Sequence, residues 1–262
     1  AMLLTHSHMD HIGGLPGLLE AFNVGTFYMT GQVHGTAFNK KAVGKLAAKK
    51  IDVVTVKLGT AVNLDKEVSM QVLHPPAEWS LDSGTDVNDT SVVVRISYGE
   101  IDYLITGDAE EASEEEILSS AKTVEAEVLK VGHHGSRTAT SARFLKRVNP
   151  VAAVLFCKTG NKFGHPHREV ISALEAMKIM ILRTDIHGTV IIKTDGKKIL
   201  IIKEKNTTSH LVIIREVTAW SGPNVLFRPT EPSSNSHTNA ITSAFFATPK
   251  NTKAMTILAT GI

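Results

Sequence analysis

What this 262-residue chain has little of narrows its chemistry before any motif is considered. It holds one cysteine, Cys157, which excludes an intramolecular disulfide and any cysteine-based metal cluster. That cysteine adjoins the apolar run Val151-Ala152-Ala153-Val154-Leu155-Phe156, so it reads as a small buried hydrophobe rather than a nucleophile. Aromatic residues make up only 5%, which argues against a large base-stacking platform. No apolar run approaches the roughly 20 residues of a membrane-spanning helix, so no membrane segment is expected and the chain as written reads as soluble. The opening residues read as a strand feeding a polar loop, not as a signal peptide. Charge of one sign is scarce as well. The formal net charge is +2 at pH 7, from 28 basic and 26 acidic side chains, and that total names no partner. What remains is globular: 42% hydrophobic and 21% charged residues suffice for a sizeable core. The length fits one large α/β domain, or one domain plus an appendage.

The strongest chemical signal is Thr5-His6-Ser7-His8-Met9-Asp10-His11-Ile12-Gly13-Gly14. His6 and His8 alternate, so on an extended segment both imidazoles point the same way and can share one metal ion. Asp10 and His11 follow where the chain must turn, and can face a second ion, as two-metal hydrolytic sites require. Imidazole with carboxylate suits zinc, manganese or iron(II).

Read in order, residues 2–5 form a buried strand ending in that loop, and 15–22 a short helix. Residues 25–29 read as a strand and 33–50 as a helix, with Val43, Leu46 and Ala47 on one face and His34 at a solvated cap. Strands follow at 53–56 and 69–73. His74-Pro75-Pro76 then breaks the chain, with His74 read as structural. Residues 90–97 and 101–106 form a hairpin around Tyr98-Gly99-Glu100. An acidic helix spans 110–120, and a strand at 126–131 ends at His133-His134. A helix at 141–148, a strand at 151–156, a loop at 160–167 and a helix at 169–177 come next. Strands at 179–182, 189–193 and 198–203 close the series. This alternation predicts layered α/β packing.

Further ligands are expected at strand ends on the same rim. In Thr106-Gly107-Asp108 a carboxylate directly follows a strand, with a glycine that allows close approach, so Asp108 can bridge two cations. A helix N-cap role is the competing reading. His133 and His134 are consecutive at a strand end and point to opposite sides. One is then a ligand, and the other hydrogen-bonds within the site or meets the substrate.

Charge distribution speaks to substrate. Residues 130–168 carry eight Lys and Arg, four His and no acidic residue, whereas 108–127 carry eight acidic residues and one lysine. A phosphodiester gives a reason for such a basic rim, because its oxygens need positioning by cations and N–H groups. Ser136, Arg137, Lys158, Lys162, His165 and His167 are the candidates. The competing reading is an ordinary solvated face.

The ordered series Asn88-Asp89-Thr90-Ser91-Val92-Val93, Leu104-Ile105-Thr106-Gly107-Asp108, Leu129-Lys130-Val131-Gly132-His133-His134-Gly135-Ser136, Asn161-Lys162-Phe163-Gly164-His165-Pro166 and Arg183-Thr184-Asp185 follows the His-rich motif. Together they resemble the metallo-β-lactamase superfamily, and within it the metallo-β-lactamase-like domain of the ComEC competence proteins, which take up DNA. The resemblance covers about residues 2–203. It implies an αββα sandwich that here lacks its first N-terminal strands, and in that family the domain is extracytoplasmic. It implies two divalent ions, Zn²⁺ or Mn²⁺, held by His6, His8, Asp10, His11, Asp108 and one of His133 and His134, with analogy favouring His134. Many members carry a further histidine where this chain reads Asn88-Asp89-Thr90-Ser91, so one ion would have an extra open position unless Asn88 or Asp89 supplies an oxygen. The expected activity is a dinuclear DNA nuclease or phosphodiesterase. A metal-bridging hydroxide would attack phosphorus, Asp10 would bind and orient, and His165 or a metal-bound water would protonate the leaving oxygen. Backbone contacts and little sequence preference are expected. The alternatives are a lactam, lactone or thioester hydrolase of the same fold, or a catalytically crippled DNA- or metal-binding module.

Residues 1–205 are read as this hydrolase domain and 206–262 as an unplaced strand-containing or partly disordered tail. Strands are expected at 211–217 and 225–227 and at 256–259, with a Pro/Ser stretch from Pro229 to Ser236. The strand at 2–5 is the first in the chain, so its edge would invite self-association unless tail strands cover it.

Overall fold

The computed structural model describes residues 1–80, 86–121 and 123–205, together with strand backbone at 210–212, 244–247 and 255–259. The chain opens with β1 (Met2–Leu3), α1 (Met9–Ile12), α2 (Leu15–Ala21), β2 (Thr26–Met29), α3 (Ala37–Ala48) and β3 (Asp52–Thr55). The three strands are parallel and lie in the order β1-β2-β3, with Met2 opposite Phe27 and Thr26 opposite Asp52. Parallel neighbours need crossovers, and the helices supply them. Ile12, Leu15, Leu19, Ala42 and Leu46 of these helices pack on Leu4, Phe27 and Met29.

The second layer holds β4 (Ala61–Asn63), β5 (Val68–His74), β6 (Val93–Tyr98), β7 (Ile101–Ile105), β8 (Val128–Lys130), β9 (Ala152–Leu155) and β10 (Met180–Arg183). Its spatial order is β10-β9-β8-β7-β6-β5-β4, antiparallel from β4 to β7 and parallel from β7 to β10. On its outer face lie α4 (Glu111–Ser120), α5 (Ala142–Val148) and α6 (Arg168–Ala176). Side chains alternate between the two faces with the period of a strand. Val93, Leu104, Leu129 and Ala153 meet Ile117, Phe144, Leu145 and Leu174 of the helices. Val94, Tyr103, Val128 and Val154 turn inward, towards Leu3, Val54 and Val56 and towards β11 (Val190–Thr194) and β12 (Ile199–Lys203). Helices outside and two β layers inside make the expected αββα sandwich. A short α7 (Thr184–His187) joins β10 to β11.

Boundaries moved where capping chemistry decided them. The helix expected from residue 33 starts at Ala37, because the Thr36 hydroxyl accepts the Asn39 N–H at 3.2 Å. The hairpin closes with Tyr98 opposite Ile101, and Gly99 takes φ 60° in its turn. Short β4 and α7 were not read from the sequence.

The tail behaves differently from expectation. β13 (His210–Val212) pairs with β12, β15 (Met255–Ala259) with β11, and β14 (Ala244–Ala247) with β15. Among the described residues no tail strand pairs with β1, so the expected cover of that edge is corrected. The physical reason is ladder length. β11 offers five consecutive partners, Val190 to Thr194, whereas β1 has two residues. The strand expected at 225–227 and the Pro/Ser stretch lie outside the described residues, as does 213–217.

Two backbone hydrogen bonds place the His-rich loop between the layers. Leu4 N–H donates to Tyr28 O at 2.9 Å, and Val92 N–H, at the start of β6, donates to Thr5 O at 2.8 Å.

Candidate metal centre

Four side chains from three separate segments converge. Nitrogen or oxygen atoms of Asp10, His11, Asp108 and His134 all lie within 4.8 Å of one another. Asp10 and His11 come from α1, whose tight turn runs straight from the extended His8. Asp108 follows β7, where Gly107 takes φ 57°, and a Cβ there would sit 2.9 Å from those of Thr5 and Ser91. Only glycine lets the strand end approach the His-rich loop so closely. Asp108 N–H then donates to the Ser91 hydroxyl at 3.0 Å.

His133 and His134 occupy a 3-10 turn in which both backbones are left-handed, with φ 41° and 57°. That reversal sends the two rings apart. The His134 Nδ1–H donates to Phe156 O at 2.8 Å, and Nε2 lies 2.9 Å from Asp10 Oδ2 and 3.3 Å from Asp108 Oδ2. His133 Nδ1 instead meets Glu110 Oε1 at 2.7 Å, outside the converging four. His6 lies against the cluster, its Nε2 3.8 Å from Asp108 Oδ2, with Nδ1 3.3 Å from both the Thr5 and Ser91 hydroxyls. His8 stands beside His6, ring centroids 4.9 Å apart, and is not among the four. His74 is buried against Ser91 O at 2.9 Å and Glu116 at 3.3 Å, a structural position.

The site's electrostatics suit a cation. Burial disfavours charge on Asp108, but His11 and Lys130 outweigh it and hold the carboxyl well below the usual range. Asp10 is likewise resisted by burial yet held low by the hydrogen bond from His134 and the charge of His11. Burial opposes the charged form of His134 too, but its two carboxylate partners raise its pKa to about 9. His6 goes the other way, pushed well down by burial and by His11. His11 Nε2 lies 3.2 Å from Asp108 Oδ2, yet among the described residues neither it nor His6 Nε2 makes a hydrogen bond of good geometry. Buried polar atoms are rarely left so. Two orphaned imidazole nitrogens facing a buried carboxylate fit a divalent metal, with the Nδ1 partners fixing which nitrogen binds.

Sequence reasoning missed three contributors. Lys130 is buried, with Nζ 3.4 Å from Asp108 Oδ1 and bonded to Gly107 O. Glu110 holds His133, and Ser91 lies between His6 and Asp108. The one available signal was a lysine ending a fully buried strand.

The expected substrate groups scatter around this centre. The His165 ring stacks at 6.2 Å from His134 and lies 5.5 Å from His133. Burial and the neighbouring His133, His167 and His134 push its pKa down to about 4, so it is neutral at pH 7. His167 lies 4.9 Å from His165 and accepts the Arg137 N–H at 2.9 Å. The Arg137 side chain pairs with Glu169 at 3.3 Å. The Ser136 hydroxyl is buried against that of Thr138, whereas Lys158 and Lys162 are exposed. The basic stretch is thus partly neutralised, with Arg143 on Glu115 and Arg147 within 3.9 Å of Glu125.

Comparison with known proteins agrees with this architecture. ComE operon protein 3 of Bacillus subtilis (strain 168) is 30% identical over 190 residues, covering 72% of this chain and 24% of that protein. Recombination protein 2 of Haemophilus influenzae is 38% identical over 196 residues, covering 72% of this chain and 21% of that protein. The chain therefore spans about a quarter of the length of these relatives. The solved structure of Zn²⁺-bound PqqB from Methylobacterium extorquens is 16% identical, with a TM-score of 0.45 over 69% of this chain and 70% of that one. The profile of the metallo-beta-lactamase superfamily matches residues 1–159, the stretch that supplies all four converging side chains, and the chain belongs to that superfamily.

Proposed function

We propose that this chain is a metal-dependent phosphodiesterase acting on DNA. The observation that carries the reading is the convergence of Asp10, His11, Asp108 and His134, with the buried Nε2 atoms of His11 and neighbouring His6 lacking a hydrogen bond among the described residues. His6, His11 and His134 all turn Nε2 towards one oxygen of Asp108, Oδ2, which supports a carboxylate shared by two ions, Zn²⁺ or Mn²⁺. His8 would join His6 at the first ion, and Asp10, His11 and His134 would hold the second. When bound, such ions supply Lewis acidity and lower the pKa of a water towards neutrality.

The remaining chemistry belongs to the chain. Asp10, anchored by His134, holds its orientation through that hydrogen bond. Lys130 balances the Asp108 charge from the buried side. Neutral His165 offers hydrogen bonds beside the centre, with the His167 ring next to it, and a phosphate next to His165 would favour its taking a proton for the leaving oxygen. Lys158, Lys162 and Arg168 have no carboxylate partner among the described residues, so they are available to phosphate oxygens. Arg137 joins them at small cost, since its pair with Glu169 is exposed. A relative named for recombination favours DNA over a neutral lactam or lactone.

The test compares turnover of single-stranded DNA, bis-p-nitrophenyl phosphate and a chromogenic β-lactam with Mn²⁺ or Zn²⁺, alongside metal content of the purified chain. Phosphodiester turnover with two ions per chain is expected. Asp10→Ala and Asp108→Ala should each abolish it while helical content persists. Lactam turnover alone, binding without turnover, or full activity in either variant would overturn the reading.

A further inference from the structure

Phe163 is 64% exposed, the most exposed of the large apolar side chains among the described residues. It is not a loose loop tip. Asn161 Oδ1 accepts the N–H groups of Phe163 at 3.2 Å and His165 at 3.0 Å. Asn161 Nδ2 donates to the carbonyls of Lys158 at 2.9 Å and His165 at 2.5 Å. One side chain thus organises the whole turn that presents the ring.

The ring continues a ladder out of the metal centre. His134 and His165 stack at 6.2 Å with 15° between planes, and His165 and Phe163 at 5.7 Å with 23°. Lys162 Nζ lies over the Phe163 ring, 5.0 Å from its centroid. With one face against His165 and most of its surface in solvent, the ring can take a flat partner as the exposed Lys162 side chain swings aside. We infer that Phe163 is a stacking platform for one unpaired nucleobase beside the reacting phosphate, with Lys162 placed for a neighbouring phosphate oxygen. This rests on the phosphodiesterase reading and adds a strand preference to it. A base inside a duplex already has both faces covered, so the platform takes a single-stranded segment, a frayed end or a flipped base. A single ring is compatible with the low aromatic content. It is also tolerant of sequence, because every base has a π-face.

The test is a two-by-two comparison of equilibrium binding, read by fluorescence anisotropy with metal withheld so that strands survive. Wild type and Phe163→Leu are each titrated with a labelled single-stranded oligonucleotide and with the same strand made abasic. Wild type should bind the base-bearing strand roughly 5- to 150-fold more tightly, the range given by one stacked base. Phe163→Leu should lose that advantage and bind both strands alike, and Phe163→Trp should restore it. An exposed site lets the variant fold as wild type does, and equal thermal midpoints would verify this. Wild type that cleaves phosphodiesters while Phe163→Leu keeps the full base-dependent advantage would overturn the platform and leave the phosphodiesterase reading standing. Failure of wild type to bind or cleave any strand would overturn both.

Discussion

At the scale of the residue, Asp108 and Lys130 share one fate. Both are buried, and the lysine's charge faces the carboxylate at 3.4 Å. Removing one partner of such a pair leaves the other desolvated and uncompensated. Asp108→Ala should therefore cost roughly 3–5 kcal/mol of stability even without metal, measured by urea unfolding in EDTA. Gly107→Ala should cost about 1–3 kcal/mol for its left-handed backbone, and it should lower metal occupancy, because its Cβ would press on Thr5 and Ser91. Elemental analysis of the purified variant would show this. A stable Gly107→Ala protein with full metal content would refute the account of that approach. Asp108 was legible because a carboxylate directly follows a strand and a glycine. Lys130 was not, because its charge counts the same in a sequence whether it meets solvent or a buried carboxylate. The divergence of His133 and His134 was expected from strand alternation, yet it arises from two left-handed backbones that no local pattern announces.

At the scale of the element, α4 is tied to α5 by charge. Its glutamates form one acidic run in the sequence, but Glu114 is buried and accepts the Ser141 N–H at 2.9 Å and the Thr140 N–H. An acidic run conceals which member turns inward, since the turn depends on where α5 begins. Burial raises the Glu114 pKa above its ordinary 4.5, against the pull of the Ser141 and Thr140 groups. A raised folded pKa gives stability that is complete below the unfolded value and is lost as pH climbs through the folded one. The stability of wild type relative to Glu114→Gln should thus fall as pH rises from 4.5, seen in denaturant midpoints taken at steps up to neutrality. A flat difference would contradict the burial argument. At the start of α5, Ser141 accepts the Phe144 N–H at 3.2 Å, and Ser141→Ala should cost about 0.5–2 kcal/mol in the same melts. The basic stretch was legible as composition. Its pairing with Glu115 of α4 through Arg143, and with Glu125 beyond α4 through Arg147, appears only when these segments are set side by side.

At the scale of the whole molecule, strand and helix alternation foretold layered α/β packing and the family resemblance implied the sandwich, whereas the partners of the tail strands follow from ladder length, which a linear pattern does not display. Adding Zn²⁺ or Mn²⁺ at a hundred times its dissociation constant should stabilise the fold by about 2.7 kcal/mol. EDTA should reverse the shift in thermal midpoint, and a midpoint indifferent to both would count against the metal reading. The donors are divided between the layers. Asp10 and His11 hang from the first, and Asp108 and His134 from the second. Metal should therefore slow hydrogen exchange in α1 and at the end of β7 together, not in one alone.

That division also bears on how such a site can be inherited. The His-rich loop, though it is the loudest phrase in the sequence, contributes half of the converging donors. Grafted onto another scaffold it would bring a string of histidines and no centre. What can be passed on, duplicated or recombined as a working unit is the pair of layers, cut no closer than the stretch that carries both halves.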